Sequence, residues 1–120
     1  QKWGSFKVAI AGPLSNISLA VLFGLLVRLA GPLFAVSPSA LLIFSFIVQI
    51  NLMLAIFNLI PVPPLDGSWI LMRFIPDTMQ SVKMFLYQYG IFILIFLIFF
   101  GALQGIYLLV QYLFTLLTGF

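Results

Sequence analysis

Pro61, Pro63 and Pro64 stand within four positions at the end of a long apolar run, in the stretch Asn58-Leu59-Ile60-Pro61-Val62-Pro63-Pro64-Leu65-Asp66-Gly67. Each proline lacks a backbone N–H, clashes with the preceding helical turn and pushes the residue before it toward an extended conformation. A helix arriving at Asn58 must therefore stop, and the chain is expected to run extended over 60–64. Irregular backbone beside hydrocarbon persists only where it is buried in protein or faces a water-filled cavity, because lipid offers its carbonyls no hydrogen bonds. The stretch predicts such a cavity, with Asp66 at its edge.

Hydrocarbon is the right surrounding for this chain. Its 120 residues are 64% hydrophobic and only 6% charged, far from the usage of soluble domains. The acids are Asp66 and Asp77 alone, and there is no histidine, glutamate or cysteine. Disulfides and thiolate chemistry are excluded, and neither a complete zinc site nor a general acid–base pair can be assembled from these residues. The cations Lys2, Lys7, Arg28, Arg73 and Lys83 are too dispersed for a nucleic-acid footprint, so no nucleic-acid partner is expected and membrane lipids are.

A membrane-crossing helix takes roughly 20 mostly apolar residues. Three spans fit, over 8–30, 40–59 and 91–117. The predicted fold is all-α: a polytopic membrane protein, one transmembrane domain of three crossing helices, with a proline-broken segment after the second and a short interfacial helical region. In the first span Pro13 is placed near the opening turn, where its missing N–H costs least, and Ala20 and Gly24 have the spacing that lets another helix approach closely. Gly31-Pro32 ends it. The second span carries Ser45, Gln49, Asn51 and Asn58, polar groups that face other helices or a cavity at membrane depth. Beyond Asp66, residues 67–75 read as a short helix stopped by Pro76, and 77–89 as an interfacial amphipathic helix. Gly90 opens the third span, where Gly101 and Gly105 repeat the close-packing spacing and Gln104 and Gln111 mark an inward face.

Lys2 and Lys7 precede the first span, Arg73 and Lys83 follow the second, and Arg28 lies near the opposite side, close enough to its helix end to snorkel. The positive-inside rule then places the N-terminus and the Asp66 region on the cytoplasmic side and the C-terminus on the far side. The first residue is Gln1 with no leader pattern ahead of the apolar periodicity, which reads as a piece of a longer protein.

The stretch from Asn58 to Gly67 matches every fixed position of N-x-x-P-x-P-x-L-D-G, the signature of the site-2 protease family of intramembrane zinc metalloproteases, which the chain resembles. Ala11-Gly12-Pro13-Leu14-Ser15-Asn16 is similar to the A-G-P-x-x-N segment that opens a neighbouring membrane helix in that family. The resemblance implies that Asp66 is the third ligand of one zinc ion. The other two would be histidines of an H-E-x-x-H helix, whose glutamate activates the metal-bound water; two histidines at i and i+4 share a helix face and reach one ion. That half is absent here, so the chain alone is expected to be inactive and to need a segment carrying H-E-x-x-H. The resemblance further implies that Asn16, Asn58, Pro61, Pro63 and Pro64 contact substrate or support the site, and that the substrates are transmembrane proteins.

The residues leave alternatives open. Asp66 before Gly-Ser and an apolar run is also a good helix N-cap, and one oxygen could cap while the other binds metal. Asn16 could link helices, Asn58 could mark a helix end, and Asp77 suits a solvated N-cap. Trp69, Tyr87 and Tyr89 suit interfacial anchors. The first alternative to a protease is an inert membrane scaffold that keeps the packing motifs. A channel or small transporter would use the same broken backbone but ordinarily shows a second, symmetric break.

Overall fold

The computed structural model describes the backbone of residues 2–34 and 37–120 and the side chains of 6–32 and 37–120. Expectations resting on Gln1 and on the Lys2 side chain lie outside the described residues. Six α-helices follow in order: α1 (Lys2–Leu29), α2 (Gly31–Phe34), α3 (Pro38–Asn58), α4 (Asp66–Phe74), α5 (Gln80–Phe99) and α6 (Ala102–Thr118), with a 3-10 turn over Asp77–Met79 before α5. The described residues contain no strand. Phe6–Leu29, Pro38–Asn58 and Asp77–Phe99 are long and apolar enough to cross a membrane, and Ala102–Thr118 is a shorter apolar helix. The all-α, three-crossing fold class is therefore what the chain adopts.

The helices α1 and α3 form an antiparallel hairpin. Ala20, fully buried, shares a cluster with Val48 and Leu52, and Phe23 meets Phe44 edge-on at 5.2 Å. Ile106 and Val110 of α6 complete that cluster. A Cβ on Gly24 would lie 2.9 Å from Cβ of Leu117, so the small pair Ala20 and Gly24 does admit a close neighbour. These contacts run in the same order along α1 and α6, which makes the two helices parallel. At their shared end the Arg28 guanidinium donates from Nη2 to the Leu116 carbonyl at 2.6 Å and from Nε to that of Leu117 at 3.2 Å. Rather than snorkelling away from the protein, Arg28 satisfies carbonyls that the end of α6 leaves without helical partners, where a cation is favoured.

Three expectations about helix limits are corrected. Pro13 lies inside α1, because the helix already begins at Lys2, and transmembrane helices tolerate an internal proline; in the same turns the Ser15 and Ser18 hydroxyls donate back to the carbonyls of Ala11 and Leu14, four residues earlier. Residues 77–89 do not form a separate interfacial helix: α5 runs unbroken through Gly90 to Phe99. The apolar stretch 91–117, expected as one helix, divides at Phe100 and Gly101, where Gly101 takes φ +99°, a left-handed conformation that glycine alone adopts freely. A Cβ on Gly101 or Gly105 would meet nothing within 4 Å, so among the described residues this pair is not a packing site, and of the two glutamines expected to face inward Gln104 is exposed and Gln111 half-buried.

Candidate functional site

The helix α3 ends at Asn58, and the chain then turns tightly rather than running extended over 60–64. Val62 N–H donates to the Ile60 carbonyl at 2.8 Å and Leu65 N–H to that of Val62 at 2.9 Å, with the Pro63–Pro64 peptide cis. The prolines stop the helix as their chemistry requires, while the few donors left between them close short turns. Val62 and Leu65 are buried against Leu94 of α5, with Phe57, Ile60, Ile93 and Leu97 around them, so an apolar plug pins the loop to α5.

Two glycines allow the loop to pack this closely. A Cβ on Gly67 would overlap the carbonyl of Leu59 and lie 2.5 Å from the Ile60 oxygen, so the start of α4 sits directly on the end of α3. A Cβ on Gly90 would lie 2.7 Å from the Pro63 carbonyl oxygen and 2.8 Å from its Cβ. Proline 63 is thus held on α5, while Pro61 and Pro64 are exposed.

Asp66 is the first residue of α4, and the N-cap position belongs to Leu65, whose carbonyl accepts from Ser68 Oγ at 2.7 Å. No side chain caps α4, so the reading of Asp66 as the N-cap is not realised. Its carboxylate is half-buried, and among the described residues it makes no hydrogen bond or ion pair. The positive end of α4 compensates part of its charge. Its side chain reaches across to α1, where a Cβ on Gly12 would stand 3.3 Å from Oδ2. The other end of α4 meets α1 through Phe74 and Phe6, edge-on at 6.4 Å, so α4 lies antiparallel along the opening turns of α1. Trp69 joins α4 to α5 through Tyr87, also at 6.4 Å.

The structure thus brings the two sequence motifs together at Gly12 and Asp66. Asn16 lies one turn beyond Gly12 and therefore on the same face of α1. It is half-buried, as is Asn58 at the end of α3, and neither side chain makes a hydrogen bond among the described residues. Neither Asn58 nor Asn16 is hydrogen-bonded to Asp66. Asp77, expected as an N-cap, instead accepts from Lys83 Nζ at 3.0 Å, an exposed carboxylate with a buried ammonium stem. The contacts of Gly12, Gly67 and Gly90 were not foreseen as a set. Gly12 and Gly67 carry a signal in the sequence, their places beside Pro13 and after Pro64 within the two motifs, while nothing local marks Gly90 as the contact of Pro63.

A zinc ion needs at least three protein donors. Among the described residues no three of His, Cys, Asp or Glu gather, so these residues alone do not fit a whole site. Asp66 fits the role of a single oxygen donor: it is half-buried, lacks a polar partner among the described residues, and lies over an exposed glycine, open to a segment approaching from outside.

The model of peptidase family M50 matches residues 28–97. The chain is 38% identical over 107 residues to "Putative zinc metalloprotease YwhC" of Bacillus subtilis, covering 85% of this chain and 48% of that protein. It is 44% identical over 69 residues to "Putative zinc metalloprotease MJ0611" of Methanocaldococcus jannaschii, with 54% and 32% covered, and 36% identical over 66 residues to "Putative zinc metalloprotease Rip3" of Mycobacterium tuberculosis, with 53% and 16% covered. The chain therefore spans about half the length of the Bacillus relative and less of the others. No solved structure gives a significant match.

Proposed function

The chain belongs to peptidase family M50, the site-2 protease family, and from that premise we propose that it forms part of an intramembrane zinc metalloprotease that cleaves peptide bonds in transmembrane helices. The observation that carries this reading is the meeting of Asp66 with Gly12, which joins the two motifs around a carboxylate without a polar partner among the described residues. A charge in apolar surroundings is costly unless it is paired or binds a metal. Asp66 is the donor this chain contributes. The remaining donors come from a segment carrying H-E-x-x-H, which approaches the exposed face of α1 at Gly12.

Zinc, when bound, supplies a water whose pKa falls to about 7 and a Lewis acid for the scissile carbonyl. The residues of this chain do the rest by position. The loop of Pro61, Pro63 and Pro64 lacks three N–H groups and offers carbonyl acceptors, while the side-chain amides of Asn16 and Asn58 are free to hydrogen-bond the backbone of an unwound substrate. Lys7, Arg73 and Lys83, with Lys2, support a cytoplasmic location for this end of the helices, because short cytoplasmic segments carry an excess of Lys and Arg.

The test is Asp66→Ala in the full-length protein, with zinc measured by elemental analysis and cleavage followed on a transmembrane substrate. Zinc and cleavage are both expected to be lost. The absence of histidine and glutamate from these residues favours a second reading, an inert membrane scaffold. A full-length protein that holds no zinc and cleaves nothing would decide for the scaffold, whereas zinc and cleavage that persist in Asp66→Ala would overturn the ligand role of Asp66.

A further inference from the structure

We propose that Gly12 is a positioning residue for Asp66: the missing side chain at position 12 fixes how closely the carboxylate lies to α1, and so where it presents its oxygens. This rests on the reading of Asp66 as a metal ligand.

The geometry separates Gly12 from the other glycines of the fold. Added Cβ atoms at Gly24, Gly67 and Gly90 would strike Leu117, the Leu59 and Ile60 carbonyls, and Pro63, groups that belong to the packing of the molecule. An added Cβ at Gly12 meets one described group beyond its own stretch of helix, Oδ2 of Asp66, at 3.3 Å. That distance is slightly closer than a carbon and a carboxylate oxygen ordinarily stand. An alanine there asks the carboxylate to give by a few tenths of an ångström, and a branched side chain occupies its place.

Gly12 also lies in the interior of α1, where glycine is the poorest helix former after proline. Among the described residues it is exposed, so no core within this chain requires its small size. A residue that weakens its helix, fills no core and touches a carboxylate donor is explained by that contact. Substitution is expected to leave the helix as stable or more stable while displacing the donor, a split that a purely structural role does not produce.

The experiment uses the full-length protein and has two arms. First, Gly12→Cys with Asp66→Cys is treated with a short bifunctional thiol cross-linker, and the linked peptides are sought by mass spectrometry; this chain contributes no cysteine of its own. A cross-link is expected, and its absence when each single-cysteine variant is labelled by a monofunctional thiol reagent would overturn the juxtaposition whatever the metal does. Second, Zn²⁺ affinity by chelator competition and thermal unfolding are compared for Gly12→Ala, Gly12→Val, Gly105→Ala as a control in open space, and Asp66→Ala. Zinc binding should weaken several-fold for Gly12→Ala and a hundredfold or more for Gly12→Val, with the zinc-free unfolding temperature of Gly12→Ala unchanged or raised and Gly105→Ala binding as the native protein does. If Asp66→Ala abolishes binding while the Gly12 variants bind normally, the positioning role fails and the ligand reading stands. If Asp66→Ala itself binds zinc normally, the ligand reading fails and takes this role with it.

Discussion

Gly90 of α5 and Pro63 of the interhelical loop are in such close contact that a Cβ on the glycine would lie 2.7 Å from the proline carbonyl oxygen. Together with Leu94 packed on Val62 and Leu65, this is how α5 holds the loop that precedes Asp66. Neither the proline ring nor a backbone carbonyl can rotate away from an added methyl. Gly90→Ala should therefore shift the loop or α5 and cost about 1–3 kcal/mol, the usual range for overpacking. Thermal unfolding in detergent checks it, and an unchanged midpoint would refute the contact.

At Gly67 the obstruction is more severe, because the start of α4 rests on the carbonyls of Leu59 and Ile60 and both are backbone. Gly67→Ala is expected to cost more than Gly90→Ala and to lower the amount of folded protein recovered. Gly31→Ala, whose Cβ would meet nothing within 4 Å, serves as the neutral comparison. Equal recovery of the two variants would contradict the close approach of α3 and α4.

What the sequence made legible followed from composition and from proline. Long apolar runs have one use in a chain this poor in charge, and Pro61, Pro63 and Pro64 have one effect on a helix, so the first two crossing helices, the stop at Asn58 and the short helix ending before Pro76 are readable, whereas the third long apolar helix lies over Asp77–Phe99 and not over 91–117. The turns inside the loop were not, since the hydrogen bonds of Val62 and Leu65 depend on which few donors survive between prolines. Glycine was the least legible residue. The same letter signals close packing at Gly24, a backbone contact at Gly67, contact with a carboxylate at Gly12 and a left-handed break at Gly101, and only the fold separates these uses. Of the site, Asp66 stood out because carboxylates are scarce here, while the partner face on α1 depends on how α4 lies along it.

The tie between Arg28 and the end of α6 gives a local prediction. Arg28→Met keeps most of the apolar stem but removes the donors to Leu116 and Leu117. Hydrogen bonds from a charged donor are each worth about 1.5–3 kcal/mol when shielded, and Arg28 is exposed, so a total near 1–2 kcal/mol is expected. Arg28→Lys should recover only part, because an ammonium cannot present the guanidinium fork to two carbonyls. The loss should be confined to the last turn of α6, read as faster amide exchange at Gly119, whose N–H bonds the Thr115 carbonyl at 2.9 Å. Uniform loss of protection across α1 and α3 would contradict a purely local role.

Gly101 and Gly105 lie four residues apart in the same apolar stretch, and a Cβ on either would meet nothing within 4 Å, so space cannot distinguish them. Conformation does. Gly101 has φ +99° at the junction of α5 and α6, whereas Gly105 sits within α6 and its N–H bonds the Gly101 carbonyl at 3.1 Å. An L-residue held in the left-handed region costs about 1–2 kcal/mol, while alanine in place of a helix-interior glycine gains about 1 kcal/mol. Gly101→Ala should therefore destabilise the protein and Gly105→Ala should stabilise it, a difference of opposite sign from chemically identical changes. Thermal unfolding of the two variants in the same detergent reads both. If Gly101→Ala stabilises as Gly105→Ala does, the junction has no need of a left-handed residue, and α5 and α6 run as the single helix their apolar composition suggests.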